Sequence, residues 1–520
     1  MPKHSNSIHT ILFMWQALLL CIGYLSLFLL LISRAAFFKS DYLSFKKISL
    51  IFLLKIFSGL ILILIYSRFY TVRNTTDAFK YYDDAKVIYN ALYEDPLAYF
   101  RITFGINSGA ADLYPYYQKM NNWFLADDYT LYNDSRSVIR FNALVFPFSN
   151  NHYSVHIIFM CFLSLCGLIA LFKTFEQYLP TKKTSLAAAI FLLPSVLFWG
   201  SGVLKEGLIL FASGFLIYFF FRLLRDAFSF YNLLGFALFF IMMWGIKVHV
   251  LFALIPGFTI LYWHHSFPKV HIYYKTLCVA LVGILAATSI AEISEKYSPF
   301  RMLAQKQKDF VNIANGGFYF EQVSATKDTF YVQERYRSRI HLAPDSSHWQ
   351  LSESVPAYHW SKGEIRDTQI IDNGDNLRFR FLMHLDSSGS KIDVNKLDAN
   401  LASILKNIPQ ALVNTLFRPT IFESKNYLSL FAAIENLLLM ALLLVTSLYF
   451  KKPLPDERAI FIFCLSFVFI LFSIAGLTTP VLGALVRYKI PALPYLVILL
   501  LVLIDTDKLK QRFPKLKQLI

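Results

Sequence analysis

Long apolar runs recur along the chain, and two long polar stretches interrupt them. Eleven of the runs are long enough to cross, or nearly cross, a hydrocarbon layer roughly 30 Å thick at roughly 1.5 Å per helical residue. The pattern therefore predicts an all-α polytopic membrane protein with about 11 transmembrane helices. The predicted spans are residues 11–33, 48–66, 154–172, 185–201, 207–221, 231–246, 249–263, 272–292, 427–449, 459–477 and 491–504.

Two of these spans have a second interpretation. Only a short segment around Lys247 separates 231–246 from 249–263, so the pair is also compatible with one bent or re-entrant element. The first run, 11–33, is too long for the core of a signal peptide and lacks a small-residue cleavage site. We therefore interpret it as a retained span.

The polar stretches divide the chain into regions. In the second stretch, alternating aromatic residues predict short strands, so we expect a mixed α/β loop domain there. An amphipathic segment at its end, "LASILKNIPQALVNTLFRP", predicts a helix that returns to the membrane. The regions are two N-terminal helices (1–66), a first extracytoplasmic loop with juxtamembrane helices (67–153), a transmembrane bundle (154–292), a second extracytoplasmic loop domain (293–426), C-terminal transmembrane helices (427–504) and a basic cytoplasmic tail (505–520).

Charge supports a membrane protein and gives it an orientation. The chain is 56% hydrophobic and only 16% charged, and its formal net charge is +16. Most of the excess Lys and Arg lies in alternate short connections and in the tail, so the positive-inside bias explains it better than nucleic-acid binding does. The prediction is a multi-pass membrane protein with an outer N-terminus and a cytoplasmic C-terminus.

Three tight outer turns break this rule by carrying cations. Such groups at the bilayer edge are costly unless water, lipid headgroups or a partner meets them. If the turns converge, their cations form an anion site in which Arg and Lys suit phosphate oxygens. The alternative is that each cation merely contacts lipid phosphate. The residues are Lys205, Lys247, His249, Arg487 and Lys489.

Carboxylates and phenols accompany these cations. The stretch "TDAFKYYDDAKVIYN" reads as a helix with Asp77 and Asp84 on one face and Tyr81 between them. A carboxylate here can act as a general base, and Asp77 with Asp84 can also bind a divalent cation such as Mg²⁺ or Mn²⁺. Glu206 follows Lys205 at the second outer turn. The alternative for the aspartates is a helix cap and solvated surface charge.

No Walker loop, dinucleotide fingerprint or G-x-S-x-G elbow occurs in the sequence, which disfavours chemistry driven by a soluble nucleotide. Three other motifs occur in order on the outer side. The first is Asp77, Tyr81 and Ala85 at four-residue steps. The second is the proline-bearing "LLPSVLFWGSGVLKEGLILF", with Glu206 after its turn, and the third is "RYKIPALPYL", which begins at Arg487.

In these motifs the chain resembles the C-type membrane glycosyltransferases, which take sugars from polyprenyl phosphates. Ala78 stands where many members have a second acid. The resemblance implies an inverting transfer from a polyprenyl-phosphate-linked sugar donor to a lipid-linked or glycan acceptor on the outer face of the bacterial inner membrane. Asp77 would deprotonate or orient the acceptor hydroxyl, and Glu206 would position Lys205 or the acceptor. Arg487, with Lys489 and Lys205, would hold the donor phosphate.

The sequence is also compatible with other functions. A repeat-unit polymerase that joins lipid-linked oligosaccharides would use the same outer cations and two lipid-linked substrates. A transporter or flippase is disfavoured because the span interiors hold few ionisable residues, of which Glu435 is the main exception. A non-catalytic envelope assembly protein is the fourth reading. Membrane lipids are expected partners in every case, and nucleic acid in none.

Overall fold

The computed structural model describes residues 3–69, 73, 76–120, 122–123, 134–226, 229–322, 329–342, 349–361, 364–371 and 379–514. These residues form a mostly helical protein. The α-helices are α1 (Lys3–Arg34), α2 (Phe45–Phe69), α3 (Asp77–Glu94), α4 (Pro96–Phe104), α5 (Tyr114–Tyr117), α6 (Ser135–Ser149), α7 (Tyr153–Phe175), α8 (Lys183–Ala187), α9 (Pro194–Trp199), α10 (Lys205–Arg225), α11 (Phe230–Ser266), α12 (Ile272–Ile293), α13 (Pro299–Asn315), α14 (Leu401–Phe417), α15 (Tyr427–Leu448), α16 (Pro455–Thr478), α17 (Leu482–Lys489), α18 (Leu493–Leu503) and α19 (Thr506–Arg512).

Nine helical segments within the described ranges are long and apolar enough to cross a membrane. All except the fifth overlap one predicted span each, and the fifth covers two predicted spans. The segments are Leu12–Arg34, Phe45–Arg68, Tyr153–Phe175, Lys205–Arg225, Phe230–Ser266, Ile272–Ile293, Tyr427–Leu448, Pro455–Thr478 and Leu482–Leu503. The difference from the expected eleven arises at two places.

The first difference is the predicted span 185–201, which is not one continuous helix. A short α8 continues into a π-helical turn at Ala188–Leu192, and the backbone leaves helical geometry at Leu193, with ψ 122°. Pro194 then opens α9. Proline has no N–H for the preceding turn and its ring clashes with that turn, so the helix breaks here.

The second difference is one of counting: α11 contains two helices joined at Lys247, where the apolar pattern separates the runs 231–246 and 249–263. Its backbone leaves helical geometry at Lys247, with φ −160° and ψ 83°. Phe236 and Phe258 would lie about 33 Å apart along a straight helix, yet their ring centroids are 6.2 Å apart. Phe220 of α10 contacts both rings. The two halves of α11 therefore lie side by side, and Lys247 is the apex of the reversal.

The first polar stretch contains helices that pack on the bundle. Helix α3 begins at Asp77, as the sequence predicts. Three residues on one of its faces are fully or almost fully buried: Ala78, Tyr81 and Ala85. The segment "SRSVIRFNALVFPFS" forms α6, whose Ser137 hydroxyl donates to the carbonyl of Gly245 beside the apex of α11. This stretch is therefore joined to the membrane helices rather than detached from them.

The second polar stretch contains a seven-stranded sheet with strand order β3-β4-β7-β1-β2-β5-β6. All the pairings are antiparallel, and Phe320 of β1 stands opposite Phe330 of β2. Helix α13 leads into the sheet and α14 follows it. The strands are β1 (Gly317–Gln322), β2 (Thr329–Gln333), β3 (Ile340–Leu342), β4 (Trp349–Leu351), β5 (Val355–Ser361), β6 (Glu364–Ile371) and β7 (Phe379–Leu385).

Helix α14 is the returning helix that the amphipathic pattern predicts. It packs against α16, where Thr415 donates to the carbonyl of Phe472 at 3.0 Å. Gly476 permits the close approach, because a Cβ at this position would meet the carbonyl oxygen of Ala411 at 2.1 Å. The strand-rich stretch is thus tied back to the membrane helices at its end.

The centre of the bundle is the crossing of α7 and α10. Gly167 and Gly214 face each other there, and a Cβ on Gly214 would lie 2.0 Å from the carbonyl oxygen of Gly167. Small residues let helix backbones approach closely in a membrane, where packing rather than water exclusion drives association. The crossing sets the position of the N-terminal end of α10.

Replacing Gly214 with alanine should separate α7 from α10 and destabilise the protein by about 1–3 kcal/mol, the usual cost of overpacking. The measurement is the thermal unfolding midpoint of the purified protein in detergent. Gly283→Ala is the matched control, because no atom lies within 4 Å of a Cβ added there. An equal midpoint for Gly214→Ala and the control would contradict the close crossing.

Candidate functional site

Turns and helix ends from distant parts of the chain meet around one small cavity of about 80 Å³. The N-termini of α3 and α10 supply acids and a lysine, the apex of α11 supplies a lysine and a histidine, and α17 supplies an arginine. The lining residues are Asp77, Lys205, Glu206, Ile209, Lys247, His249, Val250, Ala484, Arg487, Tyr488 and Pro491. Six of the nine residues that the sequence singles out are among them.

Local sequence explains why two acids point into the cavity from helix starts. Asp77 lies in the first turn of α3, and Glu206 lies in the first turn of α10. Unpaired backbone N–H groups and the helix dipole favour negative charge at such positions. Each helix therefore presents a carboxylate at the end that faces the cavity.

Arg487 binds both of these carboxylates. Its Nε and Nη2 donate to Glu206 Oε1 and Oε2 at 2.8 and 3.3 Å, and its Nη1 donates to Asp77 Oδ2 at 3.2 Å. The Glu206 side chain is only 6% exposed, whereas that of Asp77 is 44% exposed. The guanidinium also lies 5.2 Å from the ring of Trp199. Glu206 thus holds Arg487 through two bonds, and Asp77 holds it through one.

The protonation state of Asp77 follows from these neighbours. Burial would raise the pKa of the Asp77 carboxyl, but the charges of Arg487 and Lys205 outweigh that effect and hold the pKa below its ordinary value. The carboxylate is therefore ionised at neutral pH. An ionised carboxylate at the more exposed side of the triad is able to accept a proton or a hydrogen bond from an incoming hydroxyl.

Asp134 organises the second half of the cluster. Its two carboxylate oxygens accept from Lys205 Nζ and Lys247 Nζ, each at 2.5 Å. Burial would raise the pKa of Asp134, but the two ammonium groups hold it far below its ordinary value. No motif in the sequence points to this residue. The one sequence feature that marks Asp134 is its position directly before the amphipathic helix α6.

Two tyrosine rings support the lysines. Lys205 Nζ lies 5.5 Å from the ring centroid of Tyr81, and Lys247 Nζ lies 5.3 Å from that of Tyr488. Burial raises the pKa of the Tyr81 phenol to about 12, so the group stays neutral. Ring faces attract cations, and these contacts fix the ammonium groups in place. Tyr81 therefore lies against the cluster without lining the cavity.

Two residues that the sequence predicts for substrate binding lie elsewhere. Asp84 is buried and accepts the backbone N–H of Asn122 at 2.8 Å, so its carboxylate holds the segment after α5. Lys489 is also buried and donates to the carbonyls of Thr415 and Arg418, at the end of α14. Asp84 lies two turns, about 10 Å, along α3 from Asp77, and Lys489 lies two residues, about 200° round the helix, from Arg487, so neither side chain reaches the cavity.

The predicted divalent-cation site at Asp77 and Asp84 does not fit this donor set. Asp77 is engaged by Arg487, and Asp84 accepts a backbone N–H away from the cavity. Within the described ranges, no group of three His, Cys, Asp or Glu side chains is placed to hold a metal ion. A cluster rich in cations is also a poor environment for Mg²⁺ or Mn²⁺, which need several hard oxygen ligands.

Glu435, the acid that the sequence places within a span, has a structural role. Its Oε1 accepts the backbone N–H of Ser195 at 3.0 Å, and its Oε2 accepts the Ser195 hydroxyl. Ser195 follows Pro194 in the first turn of α9. The carboxylate thus satisfies a backbone donor at the start of this helix, where the broken segment would otherwise leave it unpaired.

Comparison of the chain with protein-family models, curated proteins and solved structures returned no match. The geometry of the site therefore carries the functional argument by itself. The site combines an arginine fixed by a glutamate, a partly exposed ionised aspartate and a pair of lysines. This arrangement is able to bind an anion and to accept a proton beside it.

We expect Asp134→Asn to lower the free energy of unfolding by about 1–3 kcal/mol, because it leaves Lys205 and Lys247 close together without their shared counter-charge. The check is chemical denaturation of the purified protein. Adding Lys247→Met to the variant should recover part of the loss.

Asp112→Asn is the control for this prediction. Asp112 also forms an ion pair, with Arg101, but its side chain is 59% exposed. Exposed pairs contribute little, so the change should stay within about 0.5 kcal/mol. Equal effects at positions 134 and 112 would argue against a buried charge cluster.

Proposed function

We propose that this protein is an integral membrane glycosyltransferase that moves a sugar from a polyprenyl-phosphate donor to an envelope glycan or lipid acceptor. The observation that carries the proposal is the meeting of Asp77, Glu206 and Arg487 within hydrogen-bond distance, beside Lys205 and Lys247. A donor of this type presents a phosphate and an acceptor presents a hydroxyl. The cavity holds a group suited to each.

The donor phosphate binds where Asp77 now contacts Arg487. Glu206 keeps the guanidinium oriented through its two bonds, so the single bond to Asp77 is the one that a phosphate oxygen replaces. Arginine suits phosphate through its planar fork, and Lys205 adds a nearby positive charge. Substrate binding therefore releases Asp77 for chemistry without leaving Arg487 unpaired.

In the chemical step, the acceptor hydroxyl oxygen attacks the anomeric carbon of the donor sugar. The bond between that carbon and the phosphate oxygen breaks, and its electron pair leaves with the lipid phosphate. Asp77 accepts the hydroxyl proton, while Arg487 and Lys205 stabilise the negative charge that grows on the phosphate. The product has the inverted anomeric configuration, since the hydroxyl attacks opposite the leaving group.

The cavity lies on the outer face of the bacterial inner membrane in this proposal. Counting the two halves of α11 separately and including the broken segment 183–199 gives eleven crossings, an outer N-terminus and a cytoplasmic C-terminus. The Lys182 ammonium contacts the carbonyls of Leu501 and Ile504 at the cytoplasmic end, and Lys205 faces the cavity, which supports a crossing between them. The strand-rich stretch 293–426 then covers the outer side and selects the acceptor.

A repeat-unit polymerase is the alternative that uses the same cations. It differs in needing two lipid-linked oligosaccharides, and one small ionic cavity favours a single donor phosphate. A transporter is less well supported, because the carboxylate of Glu435 is engaged at a helix start instead of standing free in a path. Product analysis separates the two enzymes, since only the polymerase lengthens its lipid-linked substrate by whole repeat units.

Asp77→Asn should reduce sugar transfer by roughly a hundredfold or more, because the amide cannot accept the hydroxyl proton. Transfer to endogenous membrane lipids is measured with radiolabelled polyprenyl-phosphate sugars and purified protein in lipid nanodiscs. Asp83→Asn is the matched control: Asp83 lies six residues along α3 and pairs with Arg73 at the surface. Full activity of Asp77→Asn at normal protein levels would remove the proposed base.

Arg487→Ala should also reduce transfer by roughly a hundredfold or more, through loss of the contact to the leaving phosphate. The free energy of donor binding is expected to change by more than the free energy of unfolding does. Arg487→Lys keeps the charge but loses the fork, so it should recover only part of the activity. Unchanged donor affinity in Arg487→Ala would contradict a phosphate role.

Orientation is tested by cysteine labelling in a background without the native cysteines. Glu353→Cys lies in the strand-rich stretch and should react with a membrane-impermeant maleimide in intact spheroplasts. Lys508→Cys, near the other end of the chain, should react only after permeabilisation. Both native side chains are well exposed, at 64% and 69%, so access to solvent is matched. The reverse pattern would overturn the orientation.

A further inference from the structure

A third lysine reaches the ionic cluster from outside the membrane helices. Lys306 lies on α13, and its Nζ is 5.4 Å from the ring centroid of Tyr488. Lys247 contacts the same ring at 5.3 Å. Lys306 also interacts electrostatically with Lys205 and Asp134. It therefore lies on the ring of Tyr488, which lines the cavity, although no motif in the sequence points to it.

The position of Lys306 is fixed by the residue that follows it. Gln307 donates to the carbonyl of Leu477, at the end of α16, at 2.6 Å and to that of Asn395 at 3.0 Å, and it accepts the backbone N–H of Leu397 at 2.8 Å. The first bond holds this turn of α13 on the membrane helix α16, and the other two hold it on the connection that precedes α14. The lysine consequently does not depend on an ion pair of its own to reach the cavity.

The charge balance of the cluster is uneven. Arg487 is paired with Asp77 and Glu206, while Lys205 and Lys247 share Asp134. Among the described residues, four cations thus face three carboxylates once Lys306 is included, and no carboxylate forms an ion pair with Lys306. Its ammonium group is available to an incoming anion without the loss of an existing salt bridge.

We infer that Lys306 binds the phosphodiester of the sugar donor and that donor binding draws a proton onto this amine. The inference rests on the proposed function for the identity of the ligand. An anion placed between Lys306 and Arg487 would restore electrical balance to the cluster. The contact also makes the extracytoplasmic helix α13 part of the donor site, so that the covering stretch recognises the donor directly.

The chemistry of Lys306 supports this assignment. Burial and the positive charges of Lys247 and Lys205 lower the pKa of the amine to about 7, and Asp134 opposes the shift. His249 is the remaining titratable neighbour, and Tyr488 contributes its ring. Helices α12 and α16 also pack on α13, and neither adds a charged group to the electrostatic neighbours of Lys306 within the described part of the chain.

The direction of the pH dependence follows. The protonated amine binds the anion. Affinity for the donor is therefore highest well below pH 7 and falls as the pH rises through 7, because more of the free protein is then neutral at Lys306. A phosphodiester carries the same single negative charge between pH 6 and 9, so the ligand contributes no titration of its own. The affinity of the wild type should therefore weaken roughly tenfold or more between pH 6.5 and 8.5.

The test measures the Kd of polyprenyl phosphoglucose for the full chain in nanodiscs between pH 6.5 and 8.5. Lys306→Arg should bind with a nearly constant Kd, because arginine stays charged throughout this range. Lys306→Met should bind roughly tenfold more weakly at pH 6.5 and also lose the slope. Lys296→Met, on the connection before α13, is the control and should match the wild type.

The outcomes separate the inference from the proposed function. No binding of the probe by the wild type would overturn both. Binding with an unchanged slope in Lys306→Arg would assign the titration to another group such as His249 and would overturn the inference alone. Should Lys306→Met fail to fold, the comparison of Lys306→Arg with the wild type decides. Equal competition by phosphatidylglycerol or inorganic phosphate would overturn the assignment to a sugar donor, and the uncharged polyprenol should not compete.

Discussion

The guanidinium of Arg487 is the interaction on which the site depends. It joins the starts of two helices that lie 281 and 410 residues away in the sequence. Burying such a charge is costly unless both geometry and hydrogen bonds satisfy it, and the two carboxylates do so. Because each carboxylate is at a helix N-terminus, the helix dipoles contribute to the same balance. This one group fixes the positions of the ends of α3, α10 and α17 relative to one another.

Asp134 performs the equivalent task for the other half of the cluster. It links the start of α6, in the first polar stretch, to the start of α10 and to the apex of α11. The ends of the membrane helices that carry the cluster are therefore connected to the polar stretch by charge, whereas their centres are connected by small residues such as Gly167 and Gly214. Packing determines where the helices cross, and ion pairs determine how these ends are arranged.

The sequence predicts much of this architecture, for identifiable reasons. Long apolar runs and cations in outer turns are local patterns, so the helices and most of the cavity residues follow from them. The reversal falls at Lys247, where the sequence separates two apolar runs, whereas the break at Pro194 lies inside one predicted span, because run length alone does not reveal a break. Asp84 and Lys489 have the same residue types as their neighbours, and only tertiary packing turns them away from the cavity.

Asp134 and Lys306 show the opposite limit of sequence analysis. Each is an ordinary charged residue in a polar stretch that contains many others, and only the folded chain reveals that it meets the cluster. The strands were predicted from alternating aromatics, but their order, with β7 beside β1, depends on long-range pairing. Local pattern identifies elements, whereas the partners of a single charge are decided by three-dimensional structure.

The reversal of α11 has a consequence for how the protein is assembled in the membrane. The carbonyl of Gly245, next to the apex, accepts its bond from Ser137 of α6, more than a hundred residues earlier in the chain. During synthesis α6 emerges first and has to wait until the hairpin has been inserted before the two can join. Correct insertion of a late helix pair is thus a condition for completing an early segment.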